Sequence, residues 1–173
     1  MVLIALLGWT LIAGDGNDAL PPTASGAVQI LSATAFDPEG TGPPGEHDDR
    51  AADAIDGDTS TSWPTESYES RQFGTKSGVG LVLWLAETTV VEEVEIRTLA
   101  SQDWAEEIRV ADGVGTDAAT IAAFGPADAT ATGLNTIDRI SVGAAGDAVV
   151  IWITDLGSGP MPIRLNVAEV TIR

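Results

Sequence analysis

The sequence predicts an all-β protein, a sandwich or jelly roll of about eight strands. From Ala27 onward the apolar residues recur with a period nearer two than 3.6, which is typical of strands. Clusters of glycine, proline or aspartate interrupt these runs at intervals that suit strands and turns. No long stretch shows the spacing of an amphipathic helix.

The first 14 residues form a separate segment. Met1–Ala13 is almost wholly apolar and gives way at once to polar turn-forming residues. A spanning helix needs roughly 20 apolar residues, and the segment lacks the positive start of a secretory signal. We therefore expect residues 1–14 to be the end of a transmembrane helix or a membrane-anchor remnant, residues 15–26 to be a linker, and residues 27–173 to be an extracytoplasmic domain. The alternative is a buried first helix of the domain itself.

The predicted strands are of two kinds. In Val91–Arg97 the side chains of Val94 and Ile96 point one way and the charged ones the other, as on a half-buried strand. Two other runs are apolar on both faces, which suits central strands of a two-layer structure. The predicted strands are, in chain order, Val28–Ala35, Gly80–Leu85, Val91–Arg97, Glu107–Val110, Ile137–Val142, Ala148–Ile153 and Leu165–Ile172.

A long polar segment, Phe36–Arg71, has scarcely any strand pattern and is rich in aspartate, glycine and proline. A loop of this length inside a compact domain usually has a function. Because crowded carboxylates repel one another, we expect a cation to order it. Its acidic part, Asp37–Asp49, is either a second ion site or a solvated acidic loop.

The composition excludes several function classes. The formal charge of −18, from 26 acidic and 8 basic residues, repels nucleic-acid backbones and anionic lipid surfaces. The chain has no cysteine, and its single histidine, His47, lies in no metal-hydrolase motif. No Gly-x-Ser-x-Gly elbow is present either. In so acidic a chain, the sequence alone does not exclude the paired carboxylates of a glycoside hydrolase. Because no pair of acidic residues shows a spacing that indicates such a site, we predict a non-catalytic domain.

Two motifs resemble a known family. The run Ala54–Trp63 (AIDGDTSTSW) resembles the A-x-D-G-D-x-x-T-x-W signature of discoidin domains, also called factor V/VIII type C or galactose-binding-like domains, and Val167–Ile172 looks like the closing strand of that family. Lys76–Leu83 and Val150–Leu156 are similar to the exported C-terminal domain of actinobacterial MviN-type proteins, which are lipid II flippase homologues with a kinase-like domain. The resemblance implies a galactose-binding-like jelly roll outside the membrane.

The same motif suggests a calcium site. Oxygen ligands at short spacing around a glycine suit calcium, which takes six to eight oxygens, and the glycine permits a tight turn. The resemblance implies a structural ion that joins the loop to the last strand. Its implied ligands are side-chain oxygens of Asp56, Thr61 and Glu169 and main-chain carbonyls of Asp53, Asp58 and Ala168. The alternative is an Asp-Gly turn without metal.

Ligand recognition is assigned to the few aromatic residues in polar surroundings. Tyr68 and Trp104 are candidates to stack on a ligand, and Arg71 to hydrogen-bond sugar hydroxyls or a carboxylate. Both rings have the alternative of being buried loop anchors. Trp63 and Trp152 are expected in the core, whereas Trp84 either covers a sheet or meets a partner.

The expected function is a binding module for a carbohydrate or a peptidoglycan-related ligand of the cell envelope, held beside the membrane by its N-terminal segment. The alternative is a scaffold that binds envelope proteins and no sugar. A sugar binder should show a concave end with an exposed aromatic ring and convergent polar groups. A scaffold should show a flatter apolar patch, near Trp84 for example.

Overall fold

The computed structural model describes residues 26–41 and 45–173, in which the chain forms seven strands and two 3-10 helices. The strands are β1 (Ile30–Phe36), β2 (Trp63–Pro64), β3 (Val79–Thr98), β4 (Trp104–Ala111), β5 (Ala129–Leu134), β6 (Ile137–Asp155) and β7 (Asn166–Ile172). The 3-10 helices span Asp48–Ala54 and Ile121–Phe124. The predicted membrane segment at 1–14 and the linker up to residue 25 lie outside the described residues. Within the described ranges, no helix has the length and apolar character needed to cross a membrane.

Two long antiparallel strands, β3 and β6, build both layers of the molecule. Their pairing shifts register between Trp84 and Thr89 and again between Val91 and Glu93. Such irregularities bend and twist a strand pair, so that its two halves can belong to different layers. The first half of β3 pairs with β1, and its second half pairs with β7. The first layer therefore has the order β1-β3-β6-β4-β5 and the second β6-β3-β7-β2, and the predicted all-β sandwich is confirmed.

The main core lies between the two layers. Val94 and Ile96 are fully buried, as their alternation with charged residues predicted. They meet Leu81, Leu83 and Ile151 from the first layer in one continuous apolar cluster. Burying each such side chain stabilises the fold by about 1.5–3 kcal/mol, so this contact is the main reason that the two layers stay together.

A second core covers the outer face of the first layer. Val82, Val150 and Trp152 point away from the main core and pack with Phe36 and Phe124. The rings of Phe36 and Phe124 meet edge to face with centroids 5.4 Å apart. The segment between β4 and β5, which carries the helix Ile121–Phe124, thus explains why the strands predicted as central are apolar on both faces.

The opposite face of the second layer is charged. Glu95 is 4% exposed although it points away from the core, because arginine side chains cover it. Its carboxylate accepts hydrogen bonds from Arg97 at 2.7 Å and from Arg139 at 2.8 Å, and Arg173 lies within 3.5 Å. Burial opposes ionisation of Glu95, but the bonds from Arg97 and Arg139 outweigh it and hold the pKa of the carboxyl below its usual value.

Candidate functional site

The Asp-Gly loop lies against the last strand. Asp56 Oδ1 accepts a hydrogen bond from the backbone N–H of Asp58 at 2.8 Å, and Gly57 has a φ of 79° that favours glycine. The backbone N–H of Gly57 donates to Glu169 Oε2 at 2.9 Å. The structure therefore brings Asp56, Asp58, Thr61 and Glu169 into one cluster between the loop and β7.

This cluster has more oxygen acceptors than hydrogen-bond donors to pair with them. Thr61 Oγ1 lies 2.8 Å from Asp56 Oδ2 and 2.7 Å from the carbonyl oxygen of Asp58, yet a hydroxyl has one proton to donate. Burial raises the pKa of Glu169, the N–H of Gly57 opposes that shift, and the charge of Asp56 adds to it. Carboxylate, hydroxyl and carbonyl oxygens are the ligands that calcium takes, so this donor set fits the ion.

The other residues of the implied ligand set contribute no side chain here. The carboxylate of Asp53 pairs with Arg50 at 2.8 Å, and Ala168 is a buried residue of β7. Asp58 Oδ1 accepts bonds from the hydroxyl and backbone N–H of Ser60, which hold the pKa of its carboxyl below the usual value. In the described residues, no three His, Cys, Asp or Glu side chains are grouped so that they could hold a metal. The implied site takes only two carboxylates, and calcium stays a prediction.

A buried charge network orders the acidic part of the long loop. Glu46 is fully buried, and its carboxylate accepts hydrogen bonds from Tyr68 Oη, from the backbone N–H of Glu66 at 2.8 Å and from Lys76 Nζ at 3.3 Å. Lys76 Nζ also donates to Asp37 Oδ2 at 2.7 Å. Lys76 is the only lysine of the chain, and its ammonium offsets part of the negative charge of Glu46 and Asp37.

Tyr68 is an anchor of this network. Burial raises the pKa of its hydroxyl, and the bond to Glu46 raises it further. Its ring packs edge to face on Phe73, with centroids 4.9 Å apart. For Lys76, burial favours the neutral amine, but the bonds to Asp37 and Tyr68 outweigh it and raise the pKa above the usual value. Of the two alternatives for Tyr68, the structure favours the loop anchor.

Trp104 and Arg71, the other two predicted ligand contacts, have structural partners. The side chain of Trp104 is fully buried in the main core, and Nε1 points toward the carbonyl oxygen of Asn135 at 3.4 Å, so the ring is not available to stack on a ligand. Arg71 is exposed, and its Nε donates to the two Asp155 oxygens at 2.8 and 3.0 Å. The carboxylate of Asp155 raises the pKa of Arg71. The carbonyl of Arg71 also accepts the N–H of Leu156 at 2.8 Å, which fixes the segment after β6.

The segments after β3 and β6 enclose a concave groove of about 370 Å³ at this end of the sandwich. Gly157 has a φ of 75°, and any Cβ there would collide with the carbonyl of Gln102. The N–H of Ser158 donates to that carbonyl at 2.5 Å, and Gln102 Nε2 donates to Leu156 O at 3.2 Å. The polar residues that line this end groove are Ser101, Gln102, Ser158, Arg164 and Asn166.

Sequence reasoning did not single out this groove. Its polar residues come from two segments that are 56 positions apart where Gln102 meets Ser158, and only the fold joins them. A signal was nevertheless present, because the run Gly157–Pro162 (GSGPMP) is a turn-forming segment that begins four residues after the end of a predicted central strand. No aromatic ring is among the described residues that line the groove.

No family model matches the sequence. Solved structures with a similar fold include carbohydrate-binding modules. CpGH89CBM32-6, produced by Clostridium perfringens, superposes with a TM-score of 0.51 and 13% identity over 83% of this chain and 94% of that chain. Chitosan-binding module 2 of the chitosanase/glucanase from Paenibacillus sp. IK-5, solved with chitotriose, has a TM-score of 0.51 and 17% identity. The match covers 82% of this chain and 94% of that chain.

A third solved structure extends the likeness. The family 32 module of NanJ from C. perfringens, in complex with galactose, gives a TM-score of 0.50 and 18% identity over 82% of this chain and 91% of that chain. At these identities the likeness shows the fold. The domain is a galactose-binding-like jelly-roll sandwich of the kind that family 32 carbohydrate-binding modules share.

Proposed function

We propose that this domain is a non-catalytic carbohydrate-binding module and that the end groove is its ligand site. The observation that carries the proposal is the set of five polar residues that line a concave groove at the loop end of this fold. Solved modules of the same fold hold chitotriose and galactose, which supports a saccharide ligand.

The chemistry of the groove suits sugar hydroxyls, which both donate and accept hydrogen bonds. The amide of Asn166 offers both functions, and Arg164 adds a fork of donors. The hydroxyls of Ser101 and Ser158 already donate to Asn135 Oδ1 and to the carbonyl of Gln102, so they offer acceptor oxygens. The amide of Gln102 is itself bonded to Leu156 O. A volume of about 370 Å³ lies within the range of about 300–1,000 Å³ that is typical of small-ligand pockets. Arg71 acts on this site from outside, because its bonds to Asp155 and Leu156 fix the segment that forms one wall.

A calcium ion at the Asp-Gly loop belongs to the same proposal. Asp56, Thr61 and Glu169 would hold it with side-chain oxygens, and it would supply a positive charge between two carboxylates rather than any reaction. A peptidoglycan-related ligand beside the membrane is the finer form of the proposal. It depends on the apolar run Met1–Ala13, and it stays a prediction.

The test is calorimetric titration of the full chain with neutral, amino and acidic oligosaccharides. We expect binding of at least one class, and at least tenfold weaker binding by Arg164→Ala, because a bidentate donor is lost from the groove. Gln29→Ala is the matched control, since Gln29 is exposed outside the groove. The proposal is wrong if no oligosaccharide binds, and its site is wrong if Arg164→Ala binds as the parent does.

One observation favours the scaffold alternative. Leu99 and Ile137 are large apolar side chains, 52% and 48% exposed, and they lie side by side because the N–H of Thr98 donates to Thr136 O at 3.0 Å. Exposed apolar neighbours of this kind are suited to protein contact. If this surface binds an envelope protein, the double variant Leu99→Asp and Ile137→Asp should lose a cross-linked partner in the source cells and keep oligosaccharide binding unchanged.

A further inference from the structure

A second groove, of about 260 Å³, lies on the outer face of the first layer and shares no residue with the end groove. Its apolar floor includes Phe36, Val82 and Phe124 of the second core. Trp84 lines it and is half-buried. Sequence reasoning left Trp84 open between covering a sheet and meeting a partner, and the structure places its ring at the edge of a concave surface instead of a flat patch.

The Trp84 ring is held in place before any ligand arrives. The backbone of Trp84 pairs with Ser32 of β1 on one side and with Ala148 of β6 on the other. The indole Nε1 donates to Thr34 Oγ1 at 3.3 Å. A fixed, partly exposed indole offers a large apolar face at a low cost in side-chain entropy, and the C–H face of a sugar ring can stack on it.

The wall of this groove is acidic. Asp37 and Asp48 both line it, and no lysine or arginine is among the described lining residues. Asp48 Oδ1 accepts the N–H of Ala35 at 2.7 Å, a bond that fixes the carboxylate without neutralising it. Asp37 Oδ2 bonds to Lys76, an ammonium that it shares with Glu46, and Asp37 Oδ1 has no partner in the described part of the chain. A uronate or a phosphate would be repelled here, whereas a cationic donor would be attracted.

We infer that this groove is a second saccharide site, specific for an amino sugar with a free ammonium group. The sugar ring stacks on Trp84, and its ammonium lies toward the Asp37 and Asp48 wall, with the hydroxyls of Thr34 and Thr116 in reach of the sugar hydroxyls. The inference rests on the proposed function, because it assigns a second saccharide site to the same module. The ligand class that it adds is a cationic amino sugar. The end groove does not favour such a ligand, because the positive charge of Arg164 on its wall repels an ammonium group.

The experiment is calorimetric titration of the full chain with three probes: a glucosamine trimer, its N-acetylated form and a galacturonate trimer. We expect the glucosamine trimer to bind and to weaken at least tenfold when salt is raised or when Trp84 is changed to Ala. Asp48→Asn should weaken it about fivefold, since the amide oxygen can still accept from Ala35 while the charge is lost. Trp84→Phe, which keeps a ring, and Arg164→Ala, which is outside this groove, are the controls and should bind the trimer nearly as the parent does.

The outcomes separate this inference from the proposed function. If the glucosamine trimer binds equally to the parent, Trp84→Ala and Asp48→Asn, or if the N-acetylated or galacturonate trimer binds with Trp84 dependence, the amino-sugar site is wrong. If sugars bind only in an Arg164-dependent way, the end groove stands and this inference fails. Absence of all saccharide binding overturns both. Because Trp84→Ala could unfold the sheet, its melting temperature is measured alongside, and Asp48→Asn gives an independent result.

Discussion

The carboxylate of Glu169 accepts a hydrogen bond at 2.9 Å from the backbone N–H of Gly57, which lies 112 positions earlier in the chain. This bond joins the Asp-Gly loop to the last strand of the second layer. Burial raises the pKa of Glu169, and the repulsion between Glu169 and Asp56 adds to that rise, whereas this bond opposes it. A divalent cation between these carboxylates would reverse that repulsion and strengthen the same connection.

The first prediction concerns calcium. In protein stripped with chelator, added calcium should raise the melting temperature, since a ligand that binds only the native state stabilises it by about 2.7 kcal/mol at 100 times its dissociation constant. Glu169→Gln should abolish most of that rise, because an amide oxygen still accepts from Gly57 but carries no charge. Glu92→Gln removes an exposed carboxylate elsewhere and should behave as the parent. If calcium raises the melting temperature equally in the parent, Glu169→Gln and Glu92→Gln, or does not raise it in the parent, the Asp-Gly loop is a turn without a calcium site.

The second prediction concerns the buried network around Glu46. Tyr68→Phe removes the hydroxyl that donates to the Glu46 carboxylate and should lower the free energy of unfolding by about 1–3 kcal/mol. Lys76→Met should cost more, about 3–5 kcal/mol, because Glu46 and Asp37 would lose their shared cation in a buried place. Urea unfolding measures both. If Tyr68→Phe instead leaves stability unchanged and weakens oligosaccharide binding, Tyr68 is a ligand contact and the loop-anchor assignment is wrong.

The third prediction concerns Glu95. Its pKa is lowered in the folded state by Arg97 and Arg139, so the native protein binds fewer protons than the unfolded chain as pH falls. The stability that Glu95 contributes is therefore fully present above its unfolded pKa and is lost as pH falls through the folded value. Glu95→Gln should be less stable near neutral pH and should lose part of the acid dependence of unfolding. If Glu95→Gln loses stability at acidic pH just as the parent does, the arginines do not stabilise the ionised form of Glu95.

Local pattern was enough to predict much of the fold. Period-two alternation placed Val94 and Ile96 in the core, and the run that is apolar on both faces placed Trp152 there. Trp63, also buried, was expected there because of the family resemblance of its motif. The sequence did not show that neighbouring predicted strands are continuous in β3 and in β6. This continuity depends on the partner strand, which keeps pairing on both sides of the irregularity between Trp84 and Thr89. The short strand β2 and the small-residue strand β5 are defined by their neighbours rather than by their own sequence.

The sites show the same division between local and distant effects. The Asp-Gly motif could be read directly, because turn chemistry depends on adjacent residues. The crowded carboxylates led us to expect a bound ion in the long loop, which stays a prediction. The sequence did not indicate the role of Lys76, which bonds to Glu46 and Asp37 from 30 and 39 positions away. The ligand roles predicted for Tyr68 and Trp104 depended on exposure, a property that the surrounding fold determines.

Glu106 is the one carboxylate that the structure places between apolar residues of the core without a partner among the described residues. It is 1% exposed, it lies on β4 between the buried side chains of Trp104 and Ile108, and neither carboxylate oxygen is hydrogen-bonded. Burial raises its pKa well above the usual 4.5, and the negative charge of Asp138 raises it further. Glu106 therefore keeps its proton in the native state at pH values at which the unfolded chain has released it.

The fourth prediction follows from that difference. Between the unfolded pKa near 4.5 and the higher native value, the folded protein binds the additional proton, so stability must fall as pH rises, with a slope of up to about 1.4 kcal/mol per pH unit. Glu106→Gln keeps the shape and stays neutral, so it should flatten this slope and exceed the parent in stability at alkaline pH. Urea unfolding between about pH 5 and pH 9 measures the slope. Glu107→Gln, on the neighbouring half-exposed residue, is the matched control and should keep the parent's slope. Parallel curves for Glu106→Gln and the parent would mean that Glu106 ionises inside the fold, and that it has a partner that compensates its charge.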